Sequence, residues 1–180
     1  MFHSFERFNI DAGHQVYFAN PTDVVRIFSR VTGAQPSDIL GTLGVNGSAD
    51  LFLLNPNGIM FGPNAQLDVA GSFTASTADS VVFANGSEFS AVALEAPLLN
   101  LNVPPGVQFN TQNQPNGNLI NKANLAVGER QTLTLLGNSV SSTVRLAAPN
   151  GNAQVLGNQV ELIDNATSGL SRPHGTSVTG

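Results

Sequence analysis

The chain has no cysteine and no tryptophan, only 11% charged residues, and no long apolar run. Without cysteine there is no disulfide framework, no thiolate metal site and no cysteine nucleophile. The compartment stays open, because exported bacterial proteins often lack cysteine too. Seven basic residues are scattered against twelve acidic ones, for a formal net charge of -5. Nucleic acid and anionic membrane surfaces select clustered Lys and Arg, so neither is an expected partner. No stretch approaches the roughly 18 consecutive apolar residues of a membrane span, so the domain is not expected to be membrane-inserted. The opening MFHSFERFNI lacks a basic segment followed by an apolar core, and therefore does not read as a secretory signal. The expectation is either an internal protein or a chain that lacks its natural start.

What is present points to β structure. The 180 residues hold 18 Gly, 10 Pro and twenty Asn, while the apolar residues are largely Val, Leu, Ile and Phe. Short apolar runs alternate with turn punctuation from residue 39 onward. Leu51 to Leu54 ends at Asn55-Pro56-Asn57-Gly58, Ile59 to Phe61 ends at Gly62-Pro63-Asn64, and Leu67-Asp68-Val69 ends at Ala70-Gly71. Such runs are too short for helices, and a period of two shows in Leu67 and Val69 around Asp68 and in Leu133 and Leu135 around Thr134. Asn-Gly also suits hairpin turns, but a sandwich of hairpins would show longer strands with charged outward positions. Short strands with little charge favour a polygonal coil, in which each turn stacks about 4.8 Å above the last. Like side chains then form ladders along the axis, and buried Asn can satisfy its neighbours. At roughly 22 residues per coil the chain would make about seven coils.

An imperfect repeat supports stacking: LLNPNGIMFGPNAQLDV (53–69) resembles LAAPNGNAQVLGNQVEL (146–162). Two segments fit less well. PTDVVRIFSRVTG (21–33) reads either as a short helix capped by Asp23 and Gly33, or as a strand with Val25, Ile27 and Val31 inward and Arg26 and Arg30 outward. Its β-branched content favours the strand. FNTQNQPNGNLINKAN (109–124) reads as an exposed loop or an excursion from the coil. Residues 1–165 are expected to form one domain, with 166–180 a flexible tail.

Little in the chain suggests catalysis. His3, His14 and His174 sit near the two ends without metal-ligand spacing. There is no G-x-S-x-G elbow. Asp50, Asp68, Asp79, Glu88 and Glu95 are spaced singly, unlike the acid clusters of polysaccharide-cleaving β-helices. Gly41-x-x-Gly44-x-x-Gly47 is not a phosphate cradle. No catalytic residue, metal or cofactor is expected. In Asn55-Pro56-Asn57-Gly58 every residue has a structural role: Pro56 presets φ, Asn57 and Gly58 tolerate positive φ, and Asn55 can bond its own backbone two residues on. The turn is a corner; whether a partner also reads it is open on these grounds.

The runs FHSFERFNI, VYFANP and SRVTGAQPSDILGTLGVNGSADLFLLNPNGIMFGPNAQLDVAGSFTAST resemble the N-terminal haemagglutination-activity domain of the filamentous haemagglutinin family, most closely its cyanobacterial branch. The pentapeptide NPNGI (Asn55, Pro56, Asn57, Gly58, Ile59) and R-V-T-G (Arg30 to Gly33) make the resemblance specific. It implies an all-β, right-handed parallel β-helix with short capping or extra-helical β elements, and a strand over residues 24–32. It also implies a non-enzymatic domain of two-partner secretion that nucleates folding. The implied partner is an outer-membrane β-barrel transporter whose POTRA domains would recognise it in the periplasm, and the implied destination is the cell surface or the medium. A second family motif, NPNL, would fall at Asn20-Pro21-Thr22-Asp23, where only Asn20 and Pro21 match. Family members carry a signal peptide and capping strands ahead of the FHSF segment, so the chain reads as a fragment or a short member. Uncapped coils imply self-association or a frayed first coil. The rival reading is an adhesin module that binds carbohydrate or another cell along one β-helix face, which an exposed aromatic stripe would favour; most of the eleven Phe lie inside apolar runs and read as core.

Overall fold

In the computed structural model, residues 1–83, 85–93, 106–108 and 117–163 are described. All regular elements among them are strands, and they wind into about six stacked coils. The first coil carries β1 (Phe2–Phe5) and β2 (Gln15–Ala19), with Ile10 between them bridging in parallel to Ile39. The second carries β3 (Arg26–Val31), β4 (Ser37–Ile39) and β5 (Thr42–Asn46), and the third β6 (Asp50–Leu54), β7 (Ile59–Phe61) and β8 (Gln66–Asp68). The fourth opens with β9 (Phe73–Ser76) and leaves the stack through β10 (Ser80–Val82), β11 (Glu88–Ser90) and β12 (Gly106–Gln108). It returns in β13 (Leu119–Asn121) and β14 (Leu125–Ala126). The fifth has β15 (Thr132–Leu136), β16 (Ser139–Ser142) and β17 (Leu146–Ala147), and the sixth β18 (Asn152–Leu156) and β19 (Gln159–Leu162).

Three parallel faces result. The first runs β1-β3-β6-β9-β15-β18, the second β4-β7-β13-β16-β19, and the third β2-β5-β8 followed by the pair β14-β17. The excursion strands form a separate antiparallel sheet in the order β11-β10-β12. The chain is thus a parallel β-helix with an extra-helical sheet. Contacts between neighbouring coils are offset by 26 residues at Ser4 and Arg30, 24 at Gly33 and Asn57, 22 at Asp50 and Ser72, and 20 at Asn138 and Asn158. Seven coils of constant length were the expectation. Wider early coils and the excursion consume the difference.

Alternation along each strand sorts side chains between two cores. On the first face Ile27, Leu51, Phe73, Leu133 and Ala153 stack in register inside the helix, each at most 2% exposed. The next parity points outward, where soluble sheets usually place polar groups. Here it carries Phe2, Phe28 and Phe52 in one column, with ring centroids 5.3 and 4.6 Å apart and rings nearly parallel. Above Phe52 the same column turns polar, with Thr74, Thr134 and Gln154. The excursion covers the aromatic part: Phe83 and Phe89 pack against Phe28, and a second apolar cluster forms with Leu54, Ala78, Val81 and Ala91. The two cores lie on opposite sides of one sheet.

Several details differ from the sequence-based expectations. Residues 26–31 are a strand, and Ile27 and Val31 point inward as expected, but Val25 is 67% exposed. The corner turns through Asp23 at φ 76° and the strand begins only at Arg26, which leaves Val25 on the outside of the turn. Within 109–124, residues 119–121 are a coil strand with Leu119 fully buried, and a second coil strand follows directly at 125–126; the excursion leaves earlier, after β9. Residues 109–116 and the tail 166–180 lie outside the described residues. The repeat does not mark equivalent coil positions. Pro56-Asn57-Gly58 turns from the first face to the second, whereas Pro149-Asn150-Gly151 turns from the third to the first, with Asn150 at φ 53°. Shared turn chemistry, not shared phase, makes the two stretches alike.

On the third face the Tyr17 ring crosses Gly44 and its hydroxyl donates to Asp68 Oδ2 at 2.8 Å, so one side chain straps three coils. The hydrogen bond to Asp68, followed by desolvation and the Asp68 charge, raises the Tyr17 pKa above its ordinary value of 10.0. A folded-state pKa above the unfolded one means the strap contributes fully below the ordinary phenol range and is lost as pH rises through the folded value. Tyr17 is the only tyrosine, so tyrosinate absorbance reads it alone. Asp68→Asn is expected to move that titration downward, and an unchanged midpoint would remove Asp68 as the cause.

Candidate functional site

The two motif runs meet at one place, the corner between the first and second faces. Gly33 ends R-V-T-G in the second coil, and Asn57 stands directly above it in the third, with Asn57 Nδ2 donating to the Gly33 carbonyl at 2.7 Å. Below, the Gly33 amide donates to the Glu6 carbonyl at 3.1 Å; above, the Gly117 amide donates to the Pro56 carbonyl at 2.7 Å. The corner is therefore a column through four coils. Its tightness explains the glycine in R-V-T-G: a Cβ on Gly33 would lie 2.1 Å from the Glu6 carbonyl oxygen.

Asn55 and Asn57 divide the work. Asn55 is fully buried. Its Nδ2 donates to the Gln35 carbonyl at 3.0 Å and to Ser37 Oγ at 2.9 Å, while its Oδ1 accepts from the Asn57 amide at 3.0 Å. Its carbonyl closes the turn by accepting from the Gly58 amide at 3.1 Å. The bond from the Asn57 amide to Asn55 Oδ1 is the one the sequence suggests, with an inter-coil clamp added. Gly58 takes φ 125°, a region that disfavours a side chain, and Asn57 keeps negative φ. Ile59, 1% exposed, pairs with Ser37 below and Leu119 above. Pro56 is half-buried and Asn57 is exposed.

Asn20 and Pro21 lie elsewhere, at the corner leading into the second coil. Asn20 Nδ2 donates to the carbonyls of Pro21 at 3.1 Å and Val24 at 2.8 Å, and its Oδ1 accepts from the Ala49 amide at 2.9 Å. The same device, one Asn side chain bonding its own turn and the next coil, is used at both corners. Asn20 and Pro21 are not brought to the corner where NPNGI meets R-V-T-G.

Beside the NPNG corner runs a groove of ≈ 320 Å³, lined by Val31, Thr32, Gly33, Ala34, Pro56, Asn57, Ala91 and Val92. None of these carries a charge, and the Thr32 hydroxyl is engaged with the Phe5 carbonyl at 3.2 Å. The lining offers no acid, base or metal ligand. It offers a neutral, mostly apolar surface with the exposed Asn57 on its rim. Its far wall, Ala91 and Val92, belongs to the excursion, which sequence reasoning did not place here. A signal for it existed: Phe28 and Arg30 occupy the outward parity of a strand whose inward parity is already apolar. Elsewhere, His3 packs between Phe5 and Phe18 with Nε2 2.8 Å from Met1 Sδ; burial and, second, the nearby N-terminal charge lower its pKa. Among the described residues no group of three His, Asp or Glu could hold a metal ion.

The chain is thus a stack of parallel coils with Asn-built corners and a sheet folded over its first coils. The TPS secretion domain model matches residues 1–175, and the chain belongs to that family, the domain of two-partner-secretion exoproteins. Among solved structures, the HMW1 secretion domain from Haemophilus influenzae superposes with a TM-score of 0.56 at 25% identity, over 89% of this chain and 36% of that one. Two heme/hemopexin-binding proteins of Haemophilus influenzae are 38% identical over 66 residues and 36% identical over 64, or 37% and 36% of this chain. The chain spans 7% of the length of each of these curated relatives.

The division of labour between the two asparagines is testable. Asn55→Ala leaves Ser37 and the Asn57 amide without their buried partner and is expected to cost about 2–4 kcal/mol. Asn57→Ala removes the bonds from Nδ2 to the Gly33 carbonyl and to Asn55 Oδ1 at an exposed rim and is expected to cost about 1 kcal/mol. Denaturant melts of both variants check this; equal costs would contradict the assignment.

Proposed function

We propose that this domain is the export signal of its exoprotein, recognised in the periplasm by the POTRA domains of an outer-membrane β-barrel transporter, and that the NPNG corner and its groove belong to the surface read. The observation that supports the reading is the position of Asn57. It stands exposed beside an uncharged groove, at the point where both family motif runs converge, while its neighbour Asn55 holds the corner from within. Recognition through such a surface relies on shape and hydrogen bonds, consistent with a chain of few charges, and association should depend little on salt. The domain acts without catalysis, and its coils serve as the template on which the exported body folds. The adhesin reading gains nothing from the phenylalanines among the described residues, all of which pack into the two apolar clusters.

The test is binding of the domain to the isolated periplasmic domains of its transporter, wild type against Asn57→Ala, with circular dichroism on both. Weaker binding with an unchanged β spectrum and melt is the expected result. Loss of both together would make NPNG a corner alone, and no binding by the wild type would sink the export reading.

We also propose self-association through the end strands of the first face, since among the described strands β1 and β18 each have one neighbour within that sheet. Sedimentation velocity is expected to show a concentration-dependent shift. A strictly monomeric boundary, with protected amides through residues 2–18, would count against it.

A further inference from the structure

The groove has two walls from different parts of the chain, and one side chain ties them. Val31 to Ala34 and the NPNG corner form the solenoid side, while Ala91 and Val92 form the excursion side. Arg30 immediately precedes the first and bonds the residue that immediately precedes the second. Its Nε donates to Ser4 Oγ at 2.7 Å, its Nη1 donates to the Ser90 carbonyl, and its guanidinium lies 4.7 Å from the centre of the Phe89 ring. Only 7% of the residue is exposed.

Apolar contact between the excursion and the Phe2, Phe28 and Phe52 column supplies attraction but little direction. Flat stacked rings tolerate sliding along the column. The guanidinium is planar, with donors at fixed angles, so bonds made to the first coil and to β11 at once allow a single placement of β11. The wall itself is braced: Ser90 Oγ accepts from the amides of Val92 at 3.2 Å and Ala93 at 2.9 Å, and the Ala91 amide donates to the Asp79 carbonyl at 2.8 Å. The bracing makes Ser90 to Ala93 one rigid piece, and Arg30 fixes where it sits.

We propose that Arg30 is the positioning residue of the recognition surface. It fastens β11 over the first face and so sets the groove's far wall, making the surface composite, half solenoid corner and half excursion. The proposal rests on the export reading above and specifies what the partner meets: a neutral groove suited to an extended segment with small, uncharged side chains. Arg30 itself does not touch the partner, because it is buried beneath the excursion, with 7% of the residue exposed.

The experiment compares Arg30→Met and Arg30→Lys with the wild type, using hydrogen exchange resolved by segment and binding to the transporter's periplasmic domains. Arg30→Met keeps length and apolar bulk. It is expected to leave the amides of β3, β6 and β15 protected while those of β10 and β11 exchange roughly tenfold faster. Binding is expected to weaken about tenfold. Arg30→Lys keeps the charge without the fork and is expected to restore neither, which a role in charge alone would not predict. Wild-type protection at β11 in both variants overturns the proposal whatever the binding result. So does faster exchange at β11 with undiminished binding. Faster exchange in a domain whose wild type never binds supports the fastening role and overturns the export reading instead. Collapse of protection across all faces would make Arg30 a general stability residue and overturn its positioning role; Val92→Asp, on the exposed wall, then tests the surface without touching the fastening, and binding at wild-type strength would remove the excursion from it.

Discussion

Each coil must turn its corners within the height of one strand, and every corner frees backbone groups that the faces do not pair. That constraint shapes the rest of the molecule. Water cannot reach these groups inside the stack, and an unpaired amide or carbonyl there costs as much as a lost hydrogen bond. Asparagine meets the need because its amide both donates and accepts. Asn55 closes its own turn and reaches down to Gln35 and Ser37, Asn20 closes its turn and reaches up to Ala49, and Asn121 caps Ala123 while bonding Ser142 above. The abundance of Asn in the chain is thus an architectural requirement, met side chain by side chain.

The second organising fact is a sheet buried on both sides. The first face carries the helix core on one side and the Phe2, Phe28 and Phe52 column on the other, and the excursion closes over that column. Two cores sharing one sheet couple the coils to the excursion. Arg30 then converts a broad apolar contact into one placement. Its burial lowers its pKa; among the described residues a carbonyl, a hydroxyl and an aromatic face stand where a carboxylate partner would.

How much could be read beforehand follows from which interactions are local. The short runs, the turn chemistry and the alternation of Leu67 and Val69 are local, so the β-helix and the NPNG corner were legible. The family runs identified which β-helix. The bond from the Asn57 amide to Asn55 follows from sequence spacing of two residues and was anticipated; the clamp from Asn55 to Ser37 spans 18 residues and needed the coil length. Coil length is where sequence reasoning failed. Offsets that fall from 26 to 20 defeat any fixed repeat, and Pro149-Asn150-Gly151 resembles a corner it does not share through turn chemistry alone. Val25 was placed inward by extending strand parity one residue past the turn at Asp23. Arg30 read as an outward residue and is one, but nothing local reveals that a distant strand covers it.

The narrowing offsets also bear on reach. Every coil, long or short, raises the stack by the same strand spacing of about 4.8 Å. The first spends 26 residues on that rise and the last described step spends 20. The domain thus passes from a broad, chain-hungry base to a slimmer gauge. Any body continuing at that gauge would extend outward farther for each residue added.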